Sequence, residues 1–142
     1  MADNLDQQIQ NFLNQSEELR IEQAKEATKA IGIYLSSCNF TEREALNFYL
    51  NIIRLFVSAD GECGETEYIL FKKILEVEIS YDTFFNLTNG GATPEFMEAM
   101  DEIIDQMRYE IKMKVVVLGL AIMCSDGVVN QKERELLNII IQ

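Results

Sequence analysis

Two segments of this chain place acidic side chains where hard-ion chemistry is conceivable. They run Ser58-Ala59-Asp60-Gly61-Glu62-Cys63-Gly64-Glu65-Thr66-Glu67 and Cys124-Ser125-Asp126-Gly127-Val128-Val129-Asn130-Gln131-Lys132-Glu133. In each, a glutamate follows the aspartate of an Asp-Gly pair by seven residues. Carboxylates are hard oxygen ligands, which suit Ca2+, Mg2+ or Mn2+ rather than zinc or copper. Asp60 and Glu67 cannot share one helix face, because the loop 61–64 lies between them. They converge if the aspartate closes an incoming helix and the glutamate opens the outgoing one, and Asp126 and Glu133 can do the same. Loop carbonyls and water would complete the coordination shell. The ligand spacing of an EF-hand is absent.

The same residues also read as helix punctuation. Asn130-Gln131-Lys132-Glu133 has the form of a capping box, with asparagine as N-cap and the glutamate reaching back from the third helical position. Gly64 and Glu67 stand at the same offsets. Asp-Gly is an ordinary turn dipeptide, in which the aspartate accepts backbone N–H bonds and the glycine takes positive φ. Both readings start from the same spacing.

Other chemistry has little to work with. The chain has no histidine, which removes Ser-His and Cys-His triads, histidine zinc sites and histidine general bases. Cys38, Cys63 and Cys124 show no C-x-x-C spacing. The acidic loop around Cys63 raises its thiol pKa and argues against a reactive nucleophile. Cys38 and Cys124 read as small buried apolar residues. Phe84, Phe85, Phe96, Met97, Met100 and Met107 stand at helical spacing and read as core rather than as the lining of a pocket. No enzyme is expected.

Length and charge narrow the partners. The 142 residues are 48% hydrophobic and 25% charged, with one proline and seven glycines, the composition of one globular domain. Twelve basic residues against twenty-four acidic ones leave a formal charge of −12. Such a surface repels phosphate backbones and anionic lipid, so the expected partner is a divalent cation or a protein, not nucleic acid or membrane. Lys72-Lys73 and Lys112 with Lys114 are too sparse for a nucleic-acid patch. The longest apolar run, 115–123, is too short to cross a bilayer. Met1 to Asp6 lacks the basic and apolar regions of a secretory signal. A cytoplasmic location with reduced thiols is expected.

These residues must be positioned by helices, since helical periodicity dominates and no stretch alternates as a strand does. Apolar residues recur from position 4 to about 31, with one break at Ser16, which can cap a second helix. Thr41 and Glu44 form a capping box ahead of Ala45, Phe48, Tyr49, Ile52, Leu55 and Phe56. A third periodic stretch runs from Glu65 to Glu76, Ser80 caps a brief helix, and Thr93-Pro94 opens another. The segment from about Glu110 to Cys124 is apolar almost all round, which marks a buried central helix. Gly119 within it costs about 1 kcal/mol relative to alanine, repayable by close helix approach.

Shifting the sequence by 66 residues superposes the two acidic segments and pairs Glu44 with Glu110, Leu70 with Leu136 and Ile74 with Ile140. An apolar helix, an Asp-Gly turn and an amphipathic helix thus occur twice, as internal duplication would produce. In these residues the chain resembles the tellurite-resistance TerB family and its TerB-like relatives, over positions 41–142. The resemblance implies an all-α, multihelical bundle of two pseudo-symmetric halves, here about 41–78 and 107–142; residues 1–40 find no counterpart in it and read as an N-terminal helical extension packed on or extending from that domain. It further implies binding of a divalent metal, Ca2+ or else Mg2+ or Mn2+, through Asp60, Glu67, Asp126 and Glu133, in a stress or tellurite response. The second loop carries Val128 where relatives often have glutamate, and is less acidic for it.

Overall fold

The structure, a computed structural model, describes residues 2–60, 63–91, 93–124 and 128–142. Among them eight helices and no strand occur: α1 Ala2–Leu13, α2 Glu17–Ser37, α3 Glu42–Asp60, α4 Glu65–Leu75, α5 Tyr81–Thr88, α6 Pro94–Asp105, α7 Tyr109–Met123 and α8 Gln131–Ile141. The chain is all-α.

Side chains legible in the sequence set most of the helix starts. Ser16 accepts from the Leu19 amide, Ser80 from Thr83 and Thr93 from Phe96, each capping its helix. Thr41 and Glu44 close a reciprocal box, with Thr41 N donating to Glu44 Oε1 at 2.9 Å and Glu44 N to Thr41 Oγ1 at 3.1 Å. The Thr41 amide, and then the Thr41 hydroxyl, hold the Glu44 carboxyl below its ordinary pKa. The N-terminal helices extend past position 31, because α2 continues to a Schellman end: Phe40 N bonds Leu35 O, Asn39 N bonds Ser36 O, and Asn39 takes φ 69°.

Helix α7 is the hub. It packs most extensively on α2 and also touches α3, α4 and α8. Ten of its fifteen residues are buried, which is why it lacks a polar face. Gly119 lets α3 approach: a Cβ there would lie 2.1 Å from Phe56 Cε2. Leu5, Ile9, Phe12 and Leu13 of α1 and Ala24, Ile31 and Leu35 of α2 enter the same core cluster. An Asp6–Arg134 ion pair ties α1 to α8. Residues before position 41 therefore share one core with the rest of the chain. Helix α5 packs on α3 and α4, and α6 on α8. No helix among the described residues is long and apolar enough to cross a membrane.

Candidate functional site: the helix entries at Glu67 and Glu133

Helix α8 begins with a complete capping box. Asn130 Oδ1 accepts from Glu133 N at 2.8 Å, and Glu133 Oε1 accepts from Asn130 N at 3.0 Å. The other carboxylate oxygen, Oε2, accepts from the Cys124 thiol at 3.4 Å. Glu133 is only 2% exposed and Cys124 is fully buried. A carboxylate taken this far from water requires donors on its oxygens, and the end of α7 and the start of α8 supply them. Glu133 thus fastens the two helices to each other across their connection.

Helix α4 begins with half of the same device. Gly64 N donates to Glu67 Oε1 at 3.3 Å, but Gly64 has no side chain to return a bond to the Glu67 amide. Its backbone is extended, with φ −112°. Cys63 beside it is fully buried, and Asn89 binds its backbone from both sides. Cys63 N donates to Asn89 Oδ1 at 3.1 Å, and Asn89 Nδ2 donates to Cys63 O at 3.0 Å. The Asn89 amide also reaches Phe85 O and Thr88 Oγ1, so the end of α5 holds the backbone at Cys63, just ahead of α4. Burial, and then the Glu67 carboxylate, push the Cys63 thiol up to about 12. An unreactive thiol is the consequence, although desolvation contributes more than the acidic surroundings.

Asp60 is the last residue of α3 and Glu67 the third of α4, so the pair flanks one helix–loop–helix connection. The Asp60 side chain, the Gly61-Glu62 pair and Asp126 with Gly127 lie outside the described residues. Among the described residues no group of three or more cysteine, aspartate or glutamate side chains is placed to hold a metal ion. Glu133 commits both oxygens to protein donors, whereas Glu67 commits one.

Several expectations change. Cys38 is exposed, not buried, because it is the C-cap of α2 at the Schellman turn. Met97 is also exposed, at 38%, while Phe84, Met100 and Met107 are core. Phe96 supports the Arg54 guanidinium, 4.0 Å above its ring, and Arg54 Nε donates to Gly91 O at 2.6 Å. Lys112 is 6% exposed and adds nothing to a cationic surface. The Asn89 clamp has no sequence signature beyond an Asn-Gly turn.

A cleft of about 370 Å³ opens between α2, the start of α3 and the α4–α5 connection. Gly32, Phe40, Leu46, Tyr49 and Leu75 line it, and Glu42 is its one charged lining residue. Tyr49 Oη donates to Thr28 O at 3.1 Å. This lining pairs no nucleophile with a base. Comparison of the chain with family models, characterised proteins and solved structures finds no match.

Proposed function

We propose that this chain is a non-catalytic interaction module, TerB-like in its two Asp-Gly…Glu segments, that docks a protein partner through its acidic surface. The segments act as helix punctuation. The observation that carries this reading is Glu133, which is 2% exposed with both oxygens bonded inside the protein. A cation that drew these oxygens off their donors would leave the two donors unsatisfied in the interior, at about 1–3 kcal/mol for each.

The same device at two helix entries supports internal duplication. Helices α4 and α8 both have eleven residues, and their starts are separated by the 66-residue shift of the sequence repeat. Their N-cap positions, Gly64 and Asn130, correspond, as do Glu67 and Glu133. Helix α3 packs on α8 and α7 packs on α4, the exchange expected of two units about a pseudo-twofold axis. In this reading the second unit completed the capping box while the first dispensed with the cap side chain.

One observation favours a second reading, a Ca2+, Mg2+ or Mn2+ half-site at Asp60 and Glu67. Among the described residues only one Glu67 carboxylate oxygen has a protein donor, and Asp60 ends the helix before it. Thermal unfolding by circular dichroism, after EDTA stripping and during titration with each ion in physiological salt, decides between the two. The module reading expects Asp60→Asn/Asp126→Asn to lose a little stability, and the midpoint of neither protein to move during the titration. A saturable rise lost in that double variant would establish the cation site. At a hundredfold excess over Kd it would amount to about 2.7 kcal/mol.

A further inference from the structure

The net charge is not spread evenly along the chain. Between Lys73 and Arg108 the sequence holds eight acidic residues and no lysine or arginine. Five of the eight, Glu95, Glu98, Asp101, Glu102 and Asp105, lie on α6 and are exposed. None of the five carboxylates makes an ion pair or a hydrogen bond among the described residues. Elsewhere Glu76 pairs with Lys25 and Asp6 with Arg134.

Alongside this acidic helix runs an apolar groove. Leu55 of α3, Met100 and Ile104 of α6, and Leu136 and Ile140 of α8 form its floor. Met97 and Ile139 stand at its edges, 38% and 58% exposed, and Asp101 is its one charged lining residue. The groove is shallow, with a volume of about 30 Å³. Met97 can deepen it, since an unbranched thioether re-packs readily around a guest. On α6, positions 97, 100, 101 and 104 make the i, i+3, i+4, i+7 stripe that a second helix would lie along.

We propose that the α6–α8 groove is the docking site of a basic amphipathic helix of a partner protein. Its apolar face would cover Met97 and Ile139, and its lysines or arginines would lie over the carboxylates of α6. Charge selects this occupant. A second copy of the chain would bring another −12 molecule onto a face that already repels it, and an anionic lipid surface would meet the same repulsion. A cationic helix satisfies both the uncommitted carboxylates and the exposed apolar edges. The inference rests on the acidic-module reading and gives it a surface and a partner chemistry.

The test is fluorescence anisotropy of a fluorescein-labelled leucine–lysine amphipathic helix, titrated with the full chain at about 0.15 M salt. Saturable binding is expected. Met97→Ser/Ile139→Ser, which alters only exposed side chains, should weaken it about tenfold or more, equivalent to about 1.4 kcal/mol. Glu98→Gln/Asp101→Asn should weaken it several-fold and flatten its salt dependence. Glu22→Gln/Glu26→Gln, removing the same charge from exposed positions of α2, should leave it within about twofold. Equal losses from either charge pair, with no effect of the serine pair, would mean diffuse attraction. That result overturns the groove and leaves the acidic-module reading standing. No binding by the wild type overturns both. A dimer by sedimentation that the serine pair dissociates would assign the groove to a second copy and overturn the basic partner.

Discussion

Phe56 of α3 and Gly119 of α7 are in direct contact, with the ring where a side chain at position 119 would have to be. A Cβ on Gly119 would lie 2.1 Å from Phe56 Cε2 and 2.3 Å from Cζ, far inside van der Waals contact. Phe56 is itself fully buried and has no open space to move into. Gly119→Ala raises helix propensity by about 1 kcal/mol but overpacks the crossing, a penalty of typically 1–3 kcal/mol. Net destabilisation is expected in urea unfolding. Combined with Phe56→Leu, the loss should fall short of the sum of the two single losses, and an additive double-mutant cycle would disprove the contact's role.

Glu67 and Glu133, which the 66-residue shift pairs, should differ in their value to the fold. Glu133→Gln puts an amide nitrogen against one of two buried donors and is expected to cost about 1–3 kcal/mol. Glu67 is partly exposed, and its one bond is longer, at 3.3 Å, so Glu67→Gln should cost less than about 1 kcal/mol. Chemical denaturation of both variants measures the contrast. Equal costs would show that burial of Glu133 does not set its contribution.

The missing cap at Gly64 is a place to gain stability. The residue is extended, and a Cβ there would meet nothing within 4 Å. Gly64→Ser adds an acceptor for the Glu67 amide and restricts the unfolded chain. The expected gain is about 0.5–1 kcal/mol, seen as a higher melting midpoint. Asn130→Ala, its mirror image, should lose about 1 kcal/mol.

Thiol chemistry should separate the three cysteines. Cys38 is exposed, while Cys63 and Cys124 are buried, so a chromogenic disulfide reagent should find one fast thiol in the native chain and three after unfolding. Cys63 also makes the protein alkali-sensitive. Its folded pKa is raised to about 12 from an ordinary 9.0, so the native state holds a proton that the unfolded chain releases. That contribution is fully present below about pH 9 and is lost as pH rises towards 12, at up to about 1.4 kcal/mol per unit. Cys63→Ser, with no thiol to titrate, should show a shallower fall in stability over this window. An unchanged slope would rule Cys63 out as the cause.

The helical frame was legible because its starts are written in local chemistry. Ser16, Thr41, Ser80, Thr93-Pro94 and Asn130 announce helices through bonds made within three residues, and the all-apolar stretch of α7 announced its own burial. Features that depend on where distant elements meet could not be read this way. Cys38 looks apolar in composition, but the turn built around Asn39 puts it outside. Met97 and Met100 look alike in sequence, yet only the packing of α8 against α6 separates a groove edge from a core residue. At the acidic segments the spacing of Glu67 and Glu133 foretold their caps, whereas the thiol that meets Glu133 comes from the preceding helix.

Asn89 holds both backbone groups of Cys63, twenty-six positions earlier in the chain. Side-chain amide and peptide are joined here like adjacent rungs of a ladder. The backbone at Cys63, just ahead of α4, is therefore tied to the end of α5, and the two are expected to open together. In hydrogen exchange the Cys63 amide should be as slow as the amides that end α5, and Asn89→Ala should speed both together. Residues 63–89 would then open as one cooperative unit, with a single carboxamide as its latch.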